Sequence, residues 1–233
     1  MVKGFLSKVD DDQIYYEIYN LQGASTIIFL HGNRESGKIF YPWLKYFPQD
    51  KIVLLDTLGH GRSSLALKHP KLNFADLAED LLLAVAQLQL TNIRFILGYS
   101  DGANILLELL TRKIKLADKF ILISPNLDNK DLKPALLRQI KRSSFFRKLC
   151  KTRNNRNKTI LNNLMLQEPH YNLGDFVDYL QEVMIIASDH DCVSLAPLRA
   201  LGKIYHQELI IIAHTNHFNL LKNSQLWDTI QKL

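Results

Sequence analysis

One short segment of the chain has the residue types and the spacing that nucleophilic catalysis requires. Residues 98–102 read Gly-Tyr-Ser-Asp-Gly and match the pattern G-x-S-x-G. An apolar, strand-like run at residues 93–97 precedes the segment, and a helix-prone run begins near Ala103. A tight strand-to-helix turn holds the serine in a strained backbone conformation, and the flanking glycines leave room for it. The spacing therefore predicts Ser100 as a nucleophile.

A serine hydroxyl is a poor nucleophile at neutral pH, so it needs a histidine base and an acid that orients the base. In chains with this motif the acid and the histidine follow the serine in that order. Asp189 and Asp191 follow an apolar run at residues 183–187. We favour Asp191 because an apolar segment resumes directly after it, and Asp189 stays open as the alternative.

Two histidines follow the last apolar run, which covers residues 209–212. We favour His217 as the base because it lies at the start of a predicted terminal helix, and His214 stays open as the alternative. The sequence thus predicts Ser100, Asp191 and His217 as the catalytic residues.

Acyl transfer also requires N–H donors aimed at the oxygen on which negative charge develops. The backbone N–H of Asp101 directly follows the predicted nucleophile. Residues 31–33 read His-Gly-Asn and end an early apolar run, so the backbone N–H of Asn33 is predicted as the second donor. Arg34 stays open as the alternative. Only the backbone of Asp101 is invoked, so its side chain need not take part.

Short apolar runs alternate with helix-prone runs along most of the chain. The predicted strands cover residues 2–6, 14–19, 26–30, 52–55, 93–97, 120–123, 183–187 and 209–212. The predicted helices cover residues 36–47, 74–90, 103–110, 196–201 and 218–233. This alternation indicates an α/β fold with a mostly parallel central sheet that helices cover on both faces.

The alternation stops after Pro125 and resumes before the strand at residues 183–187. Residues 126–173 are helix-prone and strongly basic, and they contain no good strand pattern. We therefore predict a core formed by residues 1–125 and 174–233, with a helical insertion at residues 126–173.

Length and composition exclude several classes of protein. The chain has 233 residues, of which 47% are hydrophobic and 22% charged, so disorder is not expected. Its two cysteines are too few for a disulfide-stapled scaffold, and we expect free thiols in a reducing cytoplasm. Neither a signal peptide nor a transmembrane run is expected from the sequence.

The formal net charge of +6 is unevenly distributed along the chain. Residues 130–158 hold eleven basic residues against one acid, so this segment carries +10 and the remainder carries −4. A basic segment could bind nucleic acid, but no zinc-finger or RNA-binding signature accompanies it, and no nucleic acid is expected. We predict either a solvated helical surface or a surface that attracts an anionic substrate or an anionic partner surface.

Together, these motifs resemble those of the α/β-hydrolase superfamily, and of its small bacterial esterase-like members. The matching segments are residues 31–33, the D-x-x-G-x-G-x-S turn at 56–63, residues 98–104, residues 164–169, Asp191 and residues 216–218. The resemblance implies an α/β-hydrolase fold, a triad of Ser100, His217 and Asp191, no cofactor, and a helical lid inserted before the acid-bearing strand. A serine at position 100 argues against the dehalogenase branch, which uses an aspartate.

The expected activity is hydrolysis of a small carboxylic ester or related acyl substrate by a serine hydrolase. Hydrolysis of a C–C bond or a thioester, or acyl transfer, would use the same three residues and stays open. A non-catalytic protein that uses the pocket as a receptor is the alternative from another class, and the complete set of predicted catalytic residues argues against it.

Overall fold

A single eight-stranded sheet forms the centre of the protein. The computed structural model describes residues 1–8, 11–66, 71–148 and 152–232. The strands β1 to β8 are Val2–Ser7, Gln13–Tyr19, Thr26–Leu30, Lys51–Asp56, Ile93–Tyr99, Lys119–Ile123, Glu182–His190 and Ile210–Asn216. Their order across the sheet is β1-β2-β4-β3-β5-β6-β7-β8. β1 and β2 pair antiparallel with their neighbours, and the other strands are parallel.

Helices cover both faces of the sheet. The α-helices α1 to α6 are Phe74–Gln87, Asp101–Thr111, Pro134–Lys148, Arg153–Gln167, Leu195–Ile204 and Ser224–Gln231. Shorter 3-10 segments include Gly37–Tyr46 and Leu220–Lys222. None of the helices within the described ranges has the length and the apolar run that crossing a bilayer requires.

β3 illustrates how the sheet divides the apolar core into two layers. Every residue of Thr26–Leu30 is buried, as a parallel strand between two helical layers requires. Ile28 and Leu30 pack into a cluster with residues of α1, α2, α4 and α5, whereas Ile27 and Phe29 pack with the 3-10 helix and α6. The alternation follows from the two-residue period of a strand. The predicted architecture is thereby confirmed.

Helices α3 and α4 lie between β6 and β7 in the sequence, and they pack against each other. Leu161 and Leu164 of α4 are almost completely buried in the core cluster, so this helix is fixed to the sheet layer beneath it. The two helices lie within residues 126–173, where the sequence predicts a helical insertion; its limits as a separate unit stay a prediction.

The predicted terminal helix over residues 218–233 is wrong at its start. The chain first forms the 3-10 turn Leu220–Lys222, and α6 begins only at Ser224. Asn216 Oδ1 accepts hydrogen bonds from the N–H groups of Phe218 and Asn219, and Asn223 caps α6 by accepting from the N–H of Gln225. Asparagine side chains that satisfy nearby backbone donors compete with a continuous helix. The predicted helix over residues 36–47 is also 3-10 rather than α, and Pro42 lies inside it.

Candidate active site

Ser100 occupies a strained turn between β5 and α2. Its φ of 54° and ψ of −116° lie in a region that non-glycine residues rarely adopt. Both glycines of the motif are sterically required: a Cβ on Gly98 would lie 2.2 Å from the carbonyl oxygen of Gly102, and one on Gly102 would lie 2.3 Å from that of Leu30. The Ser100 N–H donates to the carbonyl of Ile123 at 2.8 Å, which fixes the turn to β6.

The three predicted catalytic residues form one hydrogen-bonded chain. Nδ1 of His217 lies 2.8 Å from Oδ1 of Asp191, and Nε2 lies 3.1 Å from Oγ of Ser100. An ionised carboxylate can only accept, so Nδ1 carries the proton and Nε2 is free to accept from the serine hydroxyl. Asp191 and His217 are 3% and 7% exposed, so water competes little with these bonds. The arrangement can pass a proton from Ser100 to His217.

Further donors surround the carboxylate of Asp191. Its Oδ2 accepts from Ser124 Oγ at 2.5 Å and Ser188 Oγ at 2.8 Å, and Oδ1 accepts from the N–H of Val193 at 3.2 Å. Burial opposes ionisation, but the hydrogen bonds from His217 and Ser124 outweigh it and hold the pKa of Asp191 well below its usual range. Asp191 therefore stays charged at neutral pH.

The buried ion pair also shifts the pKa of His217. Burial alone would lower this pKa, but the hydrogen bond to Asp191 favours the imidazolium and raises the pKa of His217 above its ordinary value. Tyr99 also contacts His217: its hydroxyl donates to the backbone carbonyl of His217 at 2.6 Å, and the centroids of the two rings lie 5.2 Å apart. The histidine is thus held in one orientation and stabilised when it takes up a proton.

The alternative residues in the two loops lie elsewhere. Asp189 accepts from the N–H of His214 at 2.7 Å and of Thr215 at 2.9 Å, so it fastens the end of β7 to β8. Its ion pair with His190 and these N–H donors keep the pKa of Asp189 below its usual value. His214 is exposed and has a φ of 58°. The structure therefore brings Asp191 and His217, rather than Asp189 and His214, to the serine.

A side-chain hydrogen bond joins the two residues predicted to donate to an oxyanion. Nδ2 of Asn33 donates to Oδ2 of Asp101 at 2.8 Å. Burial raises the pKa of Asp101 to about 6, against the opposing effect of that hydrogen bond. Asp101 is the first residue of α2, where backbone N–H groups have no acceptor within the helix. Arg34, the alternative donor, has a φ of 61° and extends its guanidinium to Asn162 of α4.

The glycine-rich turn after β4 has a structural role. Asp56 accepts from the N–H of Gly37 at 2.7 Å and of Arg62 at 2.8 Å, so one carboxylate joins two loops. Gly61 has a φ of 51°, and a Cβ there would lie 2.0 Å from Asp56 Oδ2. The D-x-x-G-x-G-x-S segment is thus bonded to the start of the 3-10 helix that follows the loop carrying Asn33.

A cavity of about 310 Å³ opens over Ser100. Its floor includes Asn33 and His217, and helices α3 and α4 contribute Ile140 and Met165 to its walls. A cavity of this size, lined by both apolar and polar side chains, is typical of a small-molecule site.

Asp191, Cys192 and His217 present possible ligand atoms that lie within 4.8 Å of one another, a spacing that could hold a metal ion. Asp191 and His217 are already hydrogen-bonded to each other. The other ring nitrogen of His217 and the other oxygen of Asp191 have the serine partners described above. Cys192 is a partly buried free thiol. The second cysteine, Cys150, lies outside the described residues.

Ser124 and Glu35 are two site residues that the sequence analysis missed. Ser124 follows the last residue of β6 and reaches Asp191, 67 positions away. Its signal was its place at the carboxyl end of a parallel strand, next to the strand that carries the acid. Glu35 lies two positions after Asn33 and lines the cavity over Ser100.

Comparison with known families identifies the fold independently. The family model described as alpha/beta hydrolase fold matches residues 25–173, which is more than half of the chain. No curated protein sequence matches the chain significantly.

Solved structures of several hydrolases are similar over nearly the whole chain. A carboxylesterase from the ammonia-oxidizing thaumarchaeon Nitrososphaera gargenis gives a TM-score of 0.82 at 16% identity, over 98% of this chain and 97% of that chain. An esterase from Thermogutta terrifontis gives 0.77 at 12% identity, over 100% and 97%. An N-acyl homoserine lactonase complexed with N-butanoyl homoserine gives 0.74 at 16% identity, over 100% and 95%. At these identities the similarity establishes the shared fold.

Proposed function

The chain belongs to the alpha/beta hydrolase fold family, and we propose that it is a serine hydrolase that cleaves a small carboxylic ester through an acyl-enzyme on Ser100. One observation carries the proposal: the hydrogen-bonded chain from Ser100 through His217 to Asp191, beneath a cavity that can hold a small molecule. The esterase neighbours support it at the level of the fold.

In the first half-reaction, Ser100 Oγ attacks the ester carbonyl carbon while His217 Nε2 takes the hydroxyl proton. Negative charge moves to the carbonyl oxygen, and the N–H groups of Asn33 and Asp101 donate to it. The imidazolium then gives its proton to the oxygen of the leaving alcohol, so the C–O bond breaks without releasing an alkoxide. The acyl group remains on Ser100.

The second half-reaction repeats these steps with water as the nucleophile. His217 removes a proton from water, the resulting hydroxide attacks the acyl carbon, and the proton returns to Ser100 as the carboxylic acid leaves. Asp191 stays ionised throughout and stabilises the imidazolium in both halves.

A lactone is a second candidate substrate class because it is an internal ester and would open by the same steps. The specific observation in its favour is the similarity, over the whole of this chain, to an N-acyl homoserine lactonase. A lactone product keeps its alcohol and acid in one molecule, so the two substrate classes are distinguished by product analysis.

The proposed function is tested with the Ser100→Ala variant. We expect the wild-type protein to hydrolyse short-chain 4-nitrophenyl esters and to bind one equivalent of a fluorophosphonate probe. The variant is expected to lose at least about 10⁴-fold in kcat and all labelling, since the nucleophile is gone. Ser7→Ala, on the exposed face of β1, is the control and is expected to keep both. Full activity of Ser100→Ala would contradict the proposal.

A further inference from the structure

A second cavity of about 400 Å³ adjoins the cavity over Ser100. Glu35, Tyr99 and Phe218 line both cavities, so the two spaces meet at these three side chains. The second cavity extends between the 3-10 helix Gly37–Tyr46 and α6, away from α3 and α4. Neither Ser100 nor His217 lines it, so it can hold only a part of a substrate that lies away from the reacting bond.

Aromatic side chains form much of the second cavity. Trp43 is 1% exposed and packs edge-on against Phe40 at 5.6 Å between ring centroids. Trp227 of α6 stacks on Tyr46 at 5.3 Å with an interplanar angle of 7°. Two lysines also line this cavity. The aromatic part of the lining suits a flat or bulky apolar group.

Glu35 is the polar group at the junction. Its Oε2 accepts from the N–H of Gly32 at 3.1 Å, and within the described part of the chain Oε1 has no hydrogen-bond partner. A Cβ on Gly32 would lie 2.9 Å from Glu35 Oε2 and 3.2 Å from Ser100 Cβ, so the carboxyl group and the nucleophile flank the same short piece of backbone. Burial raises the pKa of Glu35, because desolvation penalises its charged form. A hydrogen-bond donor on a substrate would offset that penalty.

We propose, on the basis of the proposed ester hydrolysis, that the second cavity binds the acyl arm of the substrate, and that this arm is an aromatic or bulky apolar group attached through an amide N–H that donates to Glu35. The leaving alcohol must receive its proton from His217, which lines the first cavity only, so the acyl arm is the part that reaches the second. A free ammonium group would end at Glu35 and leave the aromatic cavity empty, whereas an acylated amine continues into it.

Two ethyl esters of matched shape test the role of Glu35. N-benzoylglycine ethyl ester carries the amide N–H, and 3-benzoylpropanoate ethyl ester replaces that N–H with CH₂. The measured quantity is the ratio of their kcat/KM values in each variant. When the ratios of a variant and the wild type are compared, the intrinsic reactivity of the esters and any general loss of activity cancel. We expect Glu35→Leu to reduce this ratio about tenfold relative to the wild type, and Glu35→Gln, which keeps an acceptor oxygen, to reduce it less.

The cavity itself is tested by filling it. Ser224 lines the second cavity at the start of α6, and Gln225 is its exposed neighbour outside the lining. We expect Ser224→Trp to lower kcat/KM for both benzoyl esters about tenfold relative to ethyl butanoate, which has no arm to place there. Gln225→Trp is the matched control and is expected to leave that relation unchanged.

The outcomes separate the two proposals. Suppose that ethyl butanoate is hydrolysed in a Ser100-dependent way, but Glu35→Leu leaves the ratio between the two benzoyl esters unchanged and Ser224→Trp leaves the ratio between the benzoyl esters and ethyl butanoate unchanged. The proposed binding of the acyl arm is then wrong, and the hydrolase function stands. If no ester is hydrolysed in a Ser100-dependent way, the proposed function is wrong, and the assignment of the second cavity falls with it.

Discussion

At the scale of single residues, Asp191 illustrates how a buried carboxylate is kept ionised. The hydroxyl of Ser124, directly after β6, the hydroxyl of Ser188 in β7 and a backbone N–H share its two oxygens with His217. Each donor stabilises the charged form, and together they offset the cost of removing the carboxylate from water. The charge is then available to stabilise a protonated His217 at a distance of 2.8 Å.

This pairing predicts the pH dependence of the proposed hydrolysis. His217 must be neutral to accept a proton, and Asp191 raises the pKa of His217 above its ordinary value of about 6.5. Activity is therefore lost as the pH falls through this raised pKa. In Asp191→Asn the charge is removed and the pKa of His217 falls, so the acidic limb of kcat/KM moves to lower pH. The maximum also falls about 10⁴-fold, because the amide favours the wrong tautomer. Titration of kcat/KM against pH measures both effects.

Asp189→Asn is the matched control for that experiment, since Asp189 bonds to the backbone of β8 and not to His217. We expect its acidic limb to coincide with that of the wild type. A shift in the control equal to the shift in Asp191→Asn would contradict the assignment of the acid.

The residues of the hydrogen-bonded chain could be predicted from the sequence because each follows a predicted strand and lies in a recognisable local pattern. Ser100 lies between two glycines that only a tight turn requires, and Asp191 and His217 lie in the loops that such a turn faces. Ser124 and Glu35 could not be found in this way. Their roles depend on which strands are neighbours and on how one loop folds back on itself, and a local pattern contains neither kind of information.

At the scale of elements, Asn162 connects α4 to its surroundings. It is fully buried, and its Nδ2 donates to Ser144 Oγ at 2.7 Å and Ser143 Oγ at 3.0 Å on α3. Its Oδ1 accepts from the guanidinium of Arg34, in the loop after β3. One amide thus joins two helices and the loop that carries Asn33.

Asn162→Ala should therefore destabilise the protein more than a comparable change nearby. It removes the bond to the guanidinium of Arg34 and leaves the buried hydroxyl of Ser144 with fewer partners, and we expect a loss of about 1–3 kcal/mol in the free energy of unfolding. At this chain length that corresponds to a fall of about 2–12 °C in Tm. Thermal unfolding followed by circular dichroism measures it. Asn163→Ala, at the next, half-buried position, is the control, and an equal loss there would contradict the role of Asn162.

Element boundaries were less predictable than the elements themselves. The strands followed from apolar runs, since burial on both faces requires continuous apolar sequence. The start of α6 was misplaced because side-chain hydrogen bonds of Asn216 and Asn223 interrupt the helix. These bonds depend on the rotamer of each asparagine, which the apolar period does not specify.

At the scale of the whole molecule, the segment that contains most of α3 and α4 differs from the rest of the chain in net charge. Residues 130–158 carry a net +10 and the rest of the chain −4. Arg138, Lys141 and Arg142 are exposed on α3, and this helix also lines the cavity over Ser100. We propose that the basic helices attract an anionic substrate or an anionic surface toward the site. A solvated surface without such a role is the alternative outcome.

Charge reversal distinguishes these outcomes. If the basic helices steer an anionic ester, Arg138→Glu with Arg142→Glu should lower kcat/KM and weaken its decline with ionic strength, because long-range attraction is screened over about 8 Å at physiological salt. Lys113→Glu with Lys203→Glu, exposed elsewhere, is the control. The measurement is kcat/KM for an ester with a carboxylate group across a salt series. Identical salt dependence in both double variants would leave only the solvated surface.

The contacts between α4 and the loop after β3 link the position of this helix to that of Asn33. Asn33 donates to the carbonyl of Leu161 at 3.3 Å while it also holds Asp101, and Arg34 reaches Asn162. A displacement of α4 would break the bonds that Leu161 and Asn162 make with this loop, while the bond from Asn33 to Asp101 would remain. The position of α4 and the conformation of the loop that carries Asn33 are therefore linked. Under the proposed mechanism, a shift of α4 that changed access to the cavity would also change the support of a proposed oxyanion donor.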